Sequence, residues 1–396
     1  MIDTQSDESS SAVPSTPGQM KFAEVLAEEL RGIGISDVRL DEMGYLYGSL
    51  PATADDKAPV IGFIAHLDTA EACPPPSKMP KRIRNYDGNV IILDSGIALD
   101  PEEDDKLRAC KGEELLVTDG WTLLGGDDKA GVAAIVSALE YLAEHPEMPH
   151  GKIVFAFTPD EEIGTSQNHF DTEAFGADFA YTVDGGPFGE IEYENFNAAM
   201  AVVEVKGINA HPGEAKNKMK NAIQIAMEFH QMLPAWERPE HTEGYEGFYH
   251  LGKMEGECEN TKLYYLVREH DMEKYLARQQ FLHNIAKLLN EKYGEGTVRV
   301  EITHSYSNMA ETVKPHMHLI ECARQAIREL ETEPVTQPIR GGTDGCQLSF
   351  KGIPCPNLGT GSFNHHSVRE TVSIDQMEKS MQLIVKLALA YGKGEV

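Results

Sequence analysis

This sequence has little of what would place a protein in a membrane, on a nucleic acid or inside a disulfide framework. No apolar run among its 396 residues is long enough to cross a bilayer. The opening residues, MIDTQSDESSSAVPST, lack the charged-then-apolar plan of a secretory signal, so the chain reads as soluble and cytoplasmic. Positive charge is scarce: 35 Lys and Arg stand against 64 Asp and Glu, a net charge of -29. Such a surface repels nucleic acid and anionic lipid; its ordinary role is solubility. The six cysteines, Cys73, Cys110, Cys258, Cys322, Cys346 and Cys355, show no CxxC spacing and read as reduced thiols. Neither GxGxxG nor a Walker-type GxxxxGKS/T occurs, which argues against a nucleotide site. There is no internal repeat.

What is present is an alternation of buried strands and helices. The length suits two domains, or one large α/β domain with an insert. Thr16 and Gln19 have capping-box spacing and Pro17 suits the first helical position, so a helix is expected from Thr16, with Phe22, Val25, Leu26 and Leu30 as its apolar stripe. APVIGFIAH, KIVFAFT and FAYTV read as fully buried strands. The stretch DDKAGVAAIVSALEYLAEH between the first two reads as a helix. This predicts a mostly parallel sheet with helices on both faces. From about 196 to 307 the order becomes βαββαβ, that of a ferredoxin-like unit. The α/β pattern then resumes and closes in SIDQMEKSMQLIVKLALAYG, with a second capping box at Ser373 and Gln376. The expected division is 1–195 and 308–396 for the α/β part, with a compact α+β insert at 196–307.

Candidate chemistry gathers at strand ends, where open α/β sheets bind ligands. Glu161 and Glu162, preceded by Asp160, end the run KIVFAFTPD. Buried acids there are costly without a positive partner. Adjacent residues point in different directions, so one can hold a metal while the other faces a water. His66 and Asp68 follow VIGFIA; two apart, they point the same way, and Asp68 can fix the tautomer of His66. An isolated HxD is more often a core histidine satisfied by an acid. Asp127 and Asp128 follow two glycines, a pattern also common as an N-cap with a first-turn acid. Asp184 precedes Gly-Gly, most often a plain turn. His365 and His366 compete within a glycine-rich loop. Jointly these are an N/O ligand set without thiolate, suited to Zn²⁺, Co²⁺ or Mn²⁺. Three ligand carboxylates and one hydroxide would balance two divalent ions.

HLDT, LLGGDDKAG, FTPDEEIG, YTVDGG, NAHPG, EGFYH, PIRGGTDG, CPNLGTG and NHHS stand in an order that resembles the co-catalytic zinc peptidases. That family includes tripeptide aminopeptidases, PepV-like dipeptidases, glutamate carboxypeptidases and desuccinylases. The resemblance spans nearly the whole chain, and EGFYH and PIRGGTDG resemble the tripeptide aminopeptidases in particular. It implies two metal ions, most simply Zn²⁺, held by His66 and Asp184 on one side and by Glu162 and His366 on the other. Asp127 would lie between them, Asp68 would clamp His66 and Glu161 would be the general base. It implies a cis peptide between Asp127 and Asp128. It also implies that the insert is a lid with hinges near 196 and 307. His211 would stabilise an oxyanion, Arg268 and Arg340 would grasp the peptide, and Asn364 would line its pocket. In some relatives the lid dimerises, so a homodimer, and action of His211 in cis or in trans, stay open. Family members usually carry a helix before the segment matching Ile2-Asp3-Thr4; about a dozen residues would be missing here. The expected activity is release of the N-terminal residue from tripeptides with a free amine. The alternatives are a dipeptidase or N-deacylase of the same family, or a non-catalytic binding relative, which would be expected to have lost some of these residues.

Overall fold

The computed structural model describes residues 1–54, 57–76 and 78–393. It divides into two compact units: Met1–Tyr193 with Glu311–Gln337 and Thr343–Val396, and Glu194–Ala310 with Pro338–Gly342.

The first unit is built on an eight-stranded sheet. Its order is Asp37–Leu40, Leu46–Leu50, Ile153–Thr158, Ile61–His66, Phe179–Gly185, Asn357–Gly359, Glu190–Glu192 and Val335–Thr336. The four central strands, Ile153–Thr158 through Asn357–Gly359, run parallel. Ile61–His66 and Ile153–Thr158 are buried at every position, as expected of strands covered on both faces. On one face, the helix Gly126–Glu144 packs against Ile61–His66, Phe179–Gly185 and the last helix, Ile374–Lys393. A cluster on Tyr45, Tyr47, Ile64, Phe170, Phe175 and Leu348 forms a further part of the core. A small four-stranded sheet carries Ser362–Phe363, Thr371–Ser373, Leu115–Val117 and Lys81–Ile83.

The second unit is a four-stranded antiparallel sheet in the order Phe248–Gly256, Asn260–Glu269, Asn197–Lys206, Val298–Tyr306. The helices Ala222–Gln231 and Met272–Tyr293 bury Phe229, Leu282, Ile285 and Leu289 in one core with Val203, Leu263 and Tyr265 of the strands. Both chain order and strand order are those of a ferredoxin-like unit.

Several local expectations shift for physical reasons. The strand expected from Ala58 starts at Ile61: Pro59 has no N–H, and the Val60 N–H is taken by Asp178. The first helix is Pro17–Gly32, yet Thr16 makes no side-chain cap. The Thr16 hydroxyl donates to Gln5 O at 2.7 Å, and the Gln19 amide is drawn to Asp160 instead. Val25 is half exposed rather than part of the buried stripe, which is Ala23, Leu26, Ala27 and Leu30. In the second capping box, the Gln376 N–H donates to Ser373 Oγ, but the Gln376 amide turns to Glu113. Among the described residues no helix is long and apolar enough to cross a membrane.

Candidate active site

The first unit brings five distant segments together at one end of its parallel strands. His66 ends its strand, Asp184 lies within Phe179–Gly185 rather than in a turn, and Glu161 and Glu162 follow Ile153–Thr158. Asp127 sits at the first turn of Gly126–Glu144, across a cis Asp127–Asp128 peptide. His366 arrives on the loop after Ser362–Phe363, with Asn364 and His366 both in the left-handed region (φ 59° and 56°).

Asp127 is the centre of the cluster. Its Oδ1 lies 3.0 Å from His66 Nε2, and its Oδ2 lies 3.3 Å from His366 Nε2. One carboxylate therefore spans two imidazoles. His66 Nε2 is also 3.5 Å from Asp184 Oδ1, and His366 Nε2 is 2.9 Å from Glu162 Oε2. His365 points elsewhere: its Nε2 is 2.7 Å from Ser362 Oγ, and its Nδ1 stands 3.6 Å from Asp127. Potential ligand atoms of His66, Asp127 and Glu162 lie within 4.8 Å of one another, as do those of His66, Asp128 and Asp184. Imidazole nitrogens and carboxylate oxygens that converge this way, without thiolate, fit hard-to-borderline divalent ions.

The surrounding groups hold these side chains. Asp68 is fully buried; its two oxygens accept the N–H groups of Glu161 and Glu162 at 3.0 and 3.1 Å. It also stands 3.3 Å from His66 Nδ1, though the alignment falls short of a hydrogen bond. Asp68 thus ties the histidine strand to the paired glutamates. Asp160, also buried and with φ 57°, is satisfied by neutral donors rather than by a cation: Ser15 N–H, Ser15 Oγ and the Gln19 amide. Gln19 accepts the Asp160 N–H in return. Asp128 accepts the N–H groups of His66 and Gly131. The buried Glu370 accepts three: Leu124, Gly125 and Asp127, at 3.0, 2.8 and 2.8 Å. Asp344 accepts the hydroxyls of Thr158 and Ser166. Glu370, Gln19 and Ser15 carry no site-like spacing in the sequence, although Glu370 follows closely on His366 in the segment HHSVRE.

Electrostatics follow from the crowding. Burial, then nearby carboxylates, push Glu161 well above its ordinary range. Burial raises Asp184 to about 7 despite His66. Burial opposes the His66 imidazolium, yet Asp184, Asp127 and Asp68 together hold its pKa well above the usual imidazole value. Hydrogen bonds that its ring donates to Asp127 and Glu162 raise His366 to about 10. Burial would raise Asp127, but both histidines hold it well below the usual range. So many acids facing two imidazoles indicate a site made for added positive charge.

The remaining expected site residues are placed as follows. Asn364 Nδ2 donates to Asp104 Oδ2 at 2.7 Å, and Asp104 caps the helix Asp105–Ala109. His211, Arg268 and Arg340 belong to the second unit. His211 is exposed and its Nδ1 accepts the Gly213 N–H. Arg268 lies over the Tyr306 ring, 5.3 Å from its centroid. Arg340 donates to Gly244 O, Glu246 O and Thr242 Oγ1 and lies over Phe196 and Phe248.

Residues 117–390 match the family described as peptidase family M20/M25/M40. The chain is 51% identical over 392 residues to peptidase T of Caldanaerobacter subterraneus subsp. tengcongensis, covering 98% of this chain and 96% of that protein. It is also 51% identical over 392 residues to peptidase T of Clostridium perfringens, covering 99% and 97%. Among solved structures it resembles the aminopeptidase PepT of Bacillus cereus (TM-score 0.75, 24% identity, 96% and 94% covered). It likewise resembles a tripeptidase of Staphylococcus aureus (TM-score 0.76, 22% identity, 99% and 95% covered).

Proposed function

The chain belongs to peptidase family M20/M25/M40, and from that premise we propose that it is an aminopeptidase that releases the N-terminal residue of tripeptides at a two-metal centre. The observation that carries this reading is the Asp127 carboxylate held between His66 and His366, each imidazole backed by a further carboxylate, Asp184 and Glu162. His66 and Asp184 would hold one ion, Glu162 and His366 the other, and Asp127 both. Two divalent ions, Zn²⁺ with Co²⁺ or Mn²⁺ as alternatives, would polarise the scissile carbonyl and lower the pKa of a water.

The chain's own groups do the rest. Asp68 accepts the backbone N–H groups of Glu161 and Glu162 and so anchors both glutamates on one turn. Glu162 faces His366. Glu161 is the general base: its carboxylate takes the water proton and delivers it to the leaving amine nitrogen. Burial and the neighbouring carboxylates raise its pKa, which suits this task, because a carboxyl that holds a proton more readily than a free one can both accept and return it. His211 would donate to the oxyanion from an exposed loop that leaves its ring accessible. Arg268 would meet the peptide carboxylate or a carbonyl. Arg340 and Asn364, whose donors already serve the loop at 242–246 and Asp104, would shape the substrate side through the segments they hold.

Glu161→Ala tests the division of labour. Turnover of Ala-Ala-Ala should vanish while metal analysis still finds about two ions per chain. A variant that kept most of its rate would remove Glu161 from the mechanism.

A further inference from the structure

An aminopeptidase must tell a free α-ammonium from a blocked one. The simplest device is a desolvated carboxylate beside the scissile bond that is otherwise short of a cation. Most acids of the first unit near the cluster are already committed. Asp68, Asp128 and Glu370 accept backbone N–H groups. Asp160 has Ser15 and Gln19, and Asp344 has Thr158 and Ser166.

Glu192 differs. It closes the strand Glu190–Glu192 and stands opposite Asn357 in the sheet. Ile191, on the other side of the strand, is fully buried. Asn357 Nδ2 donates to Glu192 Oε2 at 2.8 Å, and Asn357 Oδ1 accepts the Asp184 N–H at 3.1 Å. Two hydrogen bonds thus separate the Glu192 carboxylate from the backbone of Asp184. Among the described residues nothing donates to Glu192 Oε1, and Lys106 acts on it only at longer range. Burial raises Glu192 to about 7 against the Asn357 hydrogen bond, the mark of a carboxylate that an arriving cation would relieve.

We propose that Glu192, oriented by Asn357, receives the α-ammonium of the peptide substrate and so gives the enzyme its requirement for a free N-terminus. This deepens the aminopeptidase reading and rests on it. The test compares Ala-Ala-Ala with N-acetyl-Ala-Ala-Ala, as substrates and as competing ligands, in wild type, Glu192→Gln and Glu192→Asp, with metal content measured for each. In Glu192→Gln the free tripeptide should lose about 30-fold or more in kcat/KM or affinity. The acetylated peptide should change little and metal content should stay that of wild type. Glu192→Asp should recover part of the loss, and it carries the same comparison if the Gln variant does not fold. If wild type prefers the free amine and Glu192→Gln keeps that preference, or if both peptides weaken equally, Glu192 is not the acceptor. If wild type itself does not distinguish the two peptides, the aminopeptidase reading fails and the proposal goes with it.

Discussion

Glu370 shows how much of this site is set by a residue that would touch neither metal nor substrate. Its carboxylate gathers the Leu124, Gly125 and Asp127 N–H groups and so fixes the turn that presents Asp127. Charge-assisted bonds of this kind orient metal ligands from behind. Glu370→Gln replaces one acceptor oxygen with a donor facing an N–H. Metal affinity should fall about 10- to 100-fold, read by titrating Co²⁺ and following its visible absorption. A lower melting temperature with unaltered Co²⁺ binding and spectrum would reduce Glu370 to a packing role. Sequence alone exposes Glu161 and Glu162 as unusual acids, because they stand where an apolar run ends. It does not expose Glu370, whose partners are backbone groups more than 240 positions away. Nor does it reveal that Asp160, an apparently unpaired acid, is answered by Ser15 and Gln19.

At the scale of elements, the helix Gly126–Glu144 works because it lies very close to the strand Phe179–Gly185. A Cβ at Gly131 would come within 1.8 Å of Val183 O and 2.4 Å of Asp128 Oδ1. Gly131→Ala should force helix and strand apart and destabilise the protein by about 1–3 kcal/mol. Chemical denaturation would measure this, and weakened metal binding should accompany it, since Asp127 and Asp184 ride on those two elements. A Gly131→Ala protein as stable as wild type would mean the approach is not essential. The element types themselves are legible from pattern. Six-residue apolar runs read as buried strands, and the βαββαβ order of the insert appears in the same patterning. Exact caps are not legible, because Gln19 and Gln376 each have a tertiary partner that outcompetes the helix end.

Across the whole molecule, the metal-free protein should be pH-sensitive in a definite direction. Asp184 is raised to about 7 from 3.8, and His366 to about 10 from 6.5. A raised folded-state pKa means stability that is complete below the unfolded value and is lost as pH climbs through the folded one. For Asp184 that window is roughly pH 4 to 7, and for His366 roughly pH 6.5 to 10. Asp127 and Asp68, both lowered, act oppositely, contributing above 3.8 and losing that contribution in acid. Chelated protein should therefore melt at progressively lower temperature from pH 5 to pH 8. Added Zn²⁺ should raise the melting temperature more at pH 8 than at pH 5, because the ions replace the lost protons. A Zn²⁺ effect that shrinks with rising pH would contradict this account. The sequence by itself determined the element types, the mostly parallel sheet with its separate antiparallel unit, and the kind of donors available, because apolar periodicity and residue chemistry are local properties. Only the tertiary structure decided which carboxylate meets which imidazole. Residues 66, 127, 162, 184 and 366 converge through the order of the central strands, and no spacing along the chain encodes that adjacency.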